Sequence, residues 1–278
     1  MKNKIRLGKF NYINVLPAYY NLGELLPENL CSITQGVPSS LNLAMEKGEV
    51  DISPVSAFSY AVHHDRWLVV PDICIGCSKS VISVLLASNY SFEELDRKKI
   101  LLTSESASAA SLIKILFFEK NIYPDFFPGN FLESSKSDYD GALIIGDNAL
   151  FGSWEEKYNY VYDLGTMWFQ LTGLPFVFGL WAVRKEAYKQ SFKSINAIIK
   201  ALIENKKRNL SDKRNILDFS SKEKNVDKEF MNRYFKTIEY DFDEEKQEGL
   251  KLFYKFLLKH KLISSLVKPV FIEMESLL

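Results

Sequence analysis

The amino-acid sequence predicts a soluble α/β chain of two lobes, on three observations: its length, its balance of apolar and charged residues, and a strand-loop-helix unit that recurs along it. At 278 residues the chain is as long as a single hydrophobic core usually grows before it splits, so two compact lobes are expected. Hydrophobic residues make up 47% and charged residues 25%, which supplies a sizeable core and argues against disorder. Lys+Arg and Asp+Glu both number 35. No net field therefore favours nucleic acid or an anionic membrane, and an anionic ligand has to be held locally.

The elements follow in order. Lys4 to Leu7 opens as a strand, and Asn11 to Pro17 carries turn chemistry before the aromatic segment Ala18 to Leu22. Gly36-Val37-Pro38-Ser39-Ser40 leads into Leu41, Ala44 and Met45 at helical spacing, with Ser39 or Ser40 as the expected N-cap and Gly48 closing the helix. Asp51 to Ser56 reads as a strand entering a loop. The nearly unbroken apolar run Val81 to Ala87 predicts a strand covered on both faces, as in a parallel sheet. Ile100-Leu101-Leu102, the Ser- and Ala-rich turn Thr103 to Ser111, and Leu112, Ile115 and Leu116 at helical spacing repeat the unit.

Ala142 to Ile145 is a further strand, ending in Gly146-Asp147. Asp163 to Arg184 alternates apolar residues with Gly and Pro, and a helix from about Glu186 to Asn205 carries an apolar stripe through Ala197, Ile198 and Leu202. Ser211 to Lys228 reads as a solvated helix-loop-helix connection, and Glu248 to Lys261 returns to helical periodicity.

The start, MKNKIRLGKFNYINVLPAYY, has no apolar stretch of the kind a secretory signal needs, and no run of about 18 apolar residues could span a bilayer. The chain reads as cytoplasmic, with no membrane partner. Cys31, Cys74 and Cys77 form an odd set, read as buried free thiols; His63, His64 and His260 show no ligand spacing with the C-x-x-C pair, so no metal is expected. His63-His64 is read as a solvent-facing helix end.

Four polar turns follow strands: Asn11 to Asn14, Pro38 to Asn42, Ser104 to Ser108, and Gly146-Asp147. Each offers backbone N–H groups at a helix start beside hydroxyl or amide side chains, the means by which a chain without net charge can hold carboxylates. For any one turn the simpler reading is helix capping, and Asp147, which could be a general base, reads first as a cap because a carboxylate at a helix start more often is one. The series of four points to a site for a small carboxylated molecule at the carboxyl ends of strands. G-x-S-x-G, P-loop, G-x-G-x-x-G and H-E-x-x-H patterns do not occur.

From about Ile5 to Arg184 the chain resembles the chorismate dehydratases of the futalosine route to menaquinone, the MqnA family. The resemblance is carried by Tyr12-Ile13-Asn14 with Leu16-Pro17, Gly36 to Asn42, Gly48 to Ser56 and Val81 to Ser88. It continues through the Ser104, Ser106, Ser108 turn, Ile144 to Leu150, and Asp163-Leu164-Gly165 with Trp168 and Thr172 to Phe178. Seven segments in one order make a chance likeness improbable. Two departures are Ala109 in the Ser-rich turn, where a hydroxyl is expected, and the approach Cys77-Ser78-Lys79-Ser80 to the strand at Val81.

The resemblance implies a periplasmic-binding-protein type II fold, two lobes with a central ligand cleft: residues 1–88 plus 178–278 in one lobe, 89–177 in the other. It implies a hydro-lyase that eliminates water from chorismate to give 3-[(1-carboxyvinyl)oxy]benzoate, with no cofactor. Asn14 and Ser83 match its active-site positions. Ser39, Ser40, Ser56, Ser104, Ser106, Ser108 and Asp147 are expected to bind substrate, with Asp147 also the reserve base. Two alternatives share the fold: a non-catalytic solute-binding protein for a small carboxylate, against which the missing export signal speaks, and the sister naphthoate synthase, whose catalytic His is not found. Oligomeric state is not legible.

Overall fold

The computed structural model describes residues 4–129, 131 and 138–273. Its strands are β1 Ile5–Phe10, β2 Cys31–Gly36, β3 Ile52–Ser56, β4 Trp67–Cys77, β5 Val84–Ser88, β6 Lys99–Thr103, β7 Asp125–Gly129, β8 Gly141–Ile145, β9 Tyr160–Asp163 and β10 Phe176–Arg184. Its helices are α1 Leu16–Tyr19, α2 Pro38–Glu46, α3 Ala57–His63, α4 Ala107–Glu119, α5 Gly146–Phe151, α6 Leu164–Thr172, α7 Lys185–Ser211, α8 Arg214–Lys224, α9 Lys228–Thr237 and α10 Glu244–Lys259.

The chain forms two compact units. The first comprises Met1–Ile75, Gly179–Asp243 and Lys268–Leu278; the second comprises Gly76–Phe178 and Glu244–Val267. Each is built on one five-stranded sheet, ordered β2-β1-β3-β10-β4 in the first and β7-β6-β8-β5-β9 in the second. The plans match. In each, one strand (β1 or β6) pairs in parallel with the next on one side and the next-but-one on the other, and an antiparallel strand (β10 or β5) follows.

In the first unit β1 buries Leu7 completely, and Gly8 lies so close to β3 that an added Cβ would stand 2.3 Å from Ser53 Oγ. Helix α7 packs on α1 through side-chain hydrogen bonds. Asn205 Nδ2 donates to the carbonyls of Ala18 (3.0 Å) and Tyr20 (2.8 Å), and Asn209 Nδ2 to those of Pro17 (3.0 Å) and Tyr20 (3.1 Å). The two amides stand one helical turn apart, so both face the same partner. Lys206 between them is almost wholly buried and donates to the Asp72 carbonyl and to Asp241, each at 2.6 Å. The chain end returns to this unit: Val69 N donates to Val270 O and Ile272 N to Val69 O.

In the second unit an aromatic cluster joins α6, the start of β10 and α10. Trp168 meets Phe176 at 5.2 Å and Phe256 at 5.7 Å between ring centroids, and Phe176 meets Phe253 at 5.0 Å. Gly249 is required for this packing, because a Cβ there would lie 2.1 Å from the Pro175 carbonyl oxygen. At its far end Glu119 accepts from Lys259 Nζ (2.6 Å) and contacts His260 Nε2 (2.5 Å).

Two expectations change. Strand β5 is buried throughout, but it runs antiparallel to both neighbours, β8 and β9; an apolar run reports covered faces, which either direction can have. Residues 76–88 and 244–267, expected with the first lobe, lie in the second unit, β5 through its pairing with β8 and α10 through the aromatic cluster. Arg214 to Lys224 forms the helix α8 within the expected helix-loop-helix stretch and buries Ile216.

Candidate functional site

Strand direction sorts the candidate residues. In the first unit β1, β2 and β3 run parallel, so their carboxyl ends share one sheet edge. The chain leaves β1 for Asn14 and β2 for Ser39 and Ser40, and β3 ends on Ser56. In the second unit β6 and β8 run parallel and carry Ser104 to Ser108 and Gly146-Asp147 at their carboxyl ends. Because β5 is antiparallel and pairs Val84 with Ile145, Ser83 enters at that same edge. Each unit thus gathers its candidates at the edge where open α/β sheets bind ligands.

Asn14 sits in a tight 3-10 turn whose neighbours Ile13 and Val15 are buried. Its amide Oδ1 is buried without a hydrogen-bond partner, an arrangement that costs free energy unless a donor is supplied. Ser39 and Ser40 are exposed in the first turn of α2. They are not its N-cap: Val37 holds that position with no side-chain cap, and Pro38, with φ already set for a helix, starts α2 ahead of the serines. Ser40 Oγ instead donates back to Val37 O at 2.9 Å.

Ser56 is buried and caps α3, its Oγ accepting from Ser59 N at 3.0 Å and donating to Ser59 Oγ at 2.7 Å. Asn42 Nδ2 joins this chain by donating to Ser59 Oγ at 2.8 Å, while Asn42 Oδ1 is buried and unpartnered. Ser106 caps α4, accepting from Ala109 N at 3.3 Å; Ser104 is exposed and Ser108 fully buried. Asp147 is half-buried in the first turn of α5.

Ser83 is 7% exposed, and its carbonyl accepts from Gly146 N at 2.9 Å. Gly146 is left-handed, with φ 60°, a conformation glycine adopts without cost. The turn before Ser83 is gripped by Asp163. Its Oδ2 accepts from Ser80 Oγ (2.9 Å), Val81 N (3.0 Å) and Ile82 N (2.7 Å), while Oδ1 accepts from Thr166 N (2.9 Å) and caps α6.

From the sequence Asp163 and Asn42 stand out only as members of longer segments and Ser59 not at all, and none of the three is expected as a site residue. The signals were an Asp ahead of Leu164-Gly165 at a helix start and a Ser three residues after Ser56, both of which read as caps. All three cysteines are free thiols; Cys74 and Cys77 are buried and each donates to a main-chain carbonyl, Asp241 O at 3.4 Å and Lys79 O at 3.9 Å, whereas Cys31 is only half-buried. His63 ends α3, accepts from Arg66 at 2.7 Å and is held below its ordinary pKa by burial and by that guanidinium. Among the described residues no cluster of His, Cys, Asp and Glu could hold a metal ion, and no helix is long and apolar enough to cross a membrane.

The chain is similar to known proteins over most of its length. Among solved structures it resembles a protein from Archaeoglobus fulgidus (TM-score 0.74, 17% identity, covering 94% of this chain and 99% of that one). It also resembles the periplasmic aliphatic sulphonate binding protein SsuA from Escherichia coli (TM-score 0.66, 13% identity, covering 96% of each). At such identities the likeness shows the fold, that of periplasmic binding proteins. Among curated sequences it is 31% identical to a chorismate dehydratase of Thermus thermophilus over 265 residues, 87% of this chain and 93% of that one. It is 31% identical to a chorismate dehydratase of Campylobacter jejuni over 192 residues, 67% and 71% of the two chains. The model of the menaquinone biosynthesis family matches residues 5–259, and with that span and those relatives the chain belongs to this family.

Proposed function

We propose that this protein is a chorismate dehydratase, a hydro-lyase that removes water from chorismate to give 3-[(1-carboxyvinyl)oxy]benzoate. The observation that carries the reading is the 31% identity to a chorismate dehydratase across 87% of the chain, and the polar strand ends suit a substrate with two carboxylates. The ring proton beside the enolpyruvyl ether and the neighbouring hydroxyl leave together as water. No electron is gained or lost, and aromatisation drives the step. The ring proton needs a base, and an amide such as Asn14 has no useful proton affinity. One of the substrate's own carboxylates takes it, with Asp147 as the alternative base.

Asn14 and Ser83 hold and polarise the ring substituents. The unpartnered Oδ1 of Asn14 suits a donor such as the departing hydroxyl. Ser39, Ser40, Ser104 and Ser106, with their backbone N–H groups, bind the carboxylates, while Ser56 and Ser108, both buried, stand behind them at the same strand ends. Proximity and fixed donors of this kind act chiefly on the transition state. The substrate is a small molecule, and the site of action is the cytoplasm.

The test is to mix purified protein with chorismate and follow ultraviolet absorbance and product mass. Turnover without additives supports the dehydratase. Tight binding with unchanged chorismate supports a solute-binding protein and overturns the reading. Asp147→Asn that binds substrate but does not turn over would transfer the base role to Asp147.

A further inference from the structure

We propose that Asp163 is a positioning residue for Ser83, fixing the turn that delivers its hydroxyl to the sheet edge; this rests on reading Ser83 as a residue that acts on the substrate. The carboxylate spends its two oxygens on different tasks. Oδ1 caps α6 through Thr166 N at 2.9 Å, as an ordinary helix N-cap does, and takes a longer share of the Val81 N–H at 3.3 Å. Oδ2 collects three donors from consecutive residues, Ser80 Oγ, Val81 N and Ile82 N, of which the last is the shortest at 2.7 Å.

That turn would not hold itself. Ile82 has φ 53°, left-handed for a β-branched residue, a conformation that persists only where the surroundings impose it. Asp163 supplies the imposition from one side, and Gly146 N, bonded to Ser83 O, closes the other. Gly165 allows the approach: a Cβ there would lie 2.6 Å from Cys77 Sγ and 2.8 Å from Lys79 O, forcing the start of α6 away from the turn. A cap alone needs neither the second oxygen nor the close approach. Ser83 follows Ile82 directly, so a change of φ at 82 swings the Ser83 side chain off the edge it shares with Gly146.

The experiment compares steady-state kinetics with chorismate for Ser83→Ala, Asp163→Asn, Asp163→Ser and the double variant Ser83→Ala/Asp163→Asn, with circular dichroism and melting to confirm folding. Asp163→Asn is isosteric but turns an NH2 toward either Thr166 N–H or the three turn donors. Asp163→Ser keeps a capping oxygen for α6 but is too short for the turn. Both single changes should lower kcat at least tenfold with less change in KM, and Asp163→Asn should add less than twofold in the Ser83→Ala background. An equal loss in both backgrounds, or full activity of Asp163→Ser, overturns the positioning role while leaving Ser83 in place. Full kcat in Ser83→Ala overturns the Ser83 reading itself, and the inference with it.

Discussion

The two units share a sheet plan yet fix their candidate residues by different means. In the first, the Asn14 turn is continuous with α1, which is held by neutral side-chain amides of a long helix: Asn205 and Asn209 reach four carbonyl contacts on residues 17 to 20. In the second, Ser83 follows a strained turn held by one carboxylate, Asp163. The contrast teaches that a strand order fixes where loops emerge but leaves their conformation to be set by whatever polar groups pack beside them. An amide pair divides that task between two side chains, whereas a single carboxylate concentrates it.

Substitutions can break or sharpen this contrast, beginning with the core of the second unit. Trp168→Ala removes the centre of the aromatic cluster and should destabilise the fold by about 3–5 kcal/mol, read as a lowered midpoint in denaturant unfolding. Asn209→Ala leaves the carbonyls of Pro17 and Tyr20 short of a buried donor and should cost about 1–3 kcal/mol. If the two units are held as differently as described, Asn209→Ala should also raise proteolytic sensitivity around residues 12 to 20 and leave the 80–83 turn protected.

Among the catalytic candidates, Ser83→Ala or Asn14→Ala should each lower kcat at least tenfold, about 1.4 kcal/mol, with a smaller effect on KM. A loss in KM alone would assign both residues to uniform binding.

The smallest effect is on acid stability. Burial opposes ionisation of Asp51, but Arg6, bonded to it through its backbone N–H, Nε and Nη2, and Arg184 hold the carboxyl below its ordinary value of 3.8. Glu119 in the second unit is likewise partly desolvated, and Lys259 and His260 hold it below 4.5. A carboxylate depressed on folding stabilises above its unfolded pKa and loses that contribution as pH falls through the folded one. Both contributions should therefore be present at neutral pH and lost below about pH 4. Asp51→Asn should flatten the acid limb of the stability curve of the first unit, and Glu119→Gln that of the second.

Much of the fold was legible in the sequence. The nearly unbroken apolar run Val81 to Ala87 announced a fully buried strand, which lies at Val84–Ser88, Gly48 marked the end of α2, and the polar turns after strands marked the candidate edge. The partners were less so. Asp163 lies about 80 residues from the turn it grips and reads locally as nothing more than a cap, because both of its tasks use the same short side chain.

What the sequence determined by itself is part of the set of elements and the family: periodicity, turn chemistry and ordered segments are local properties, readable without knowing what packs where. What only the tertiary structure decided is the direction of β5, the place of α10 beside Pro175, and the convergence of three donors on one oxygen of Asp163. Those depend on register and on contacts between residues far apart in the chain, and no local pattern of residues encodes which distant partner will satisfy a buried polar group.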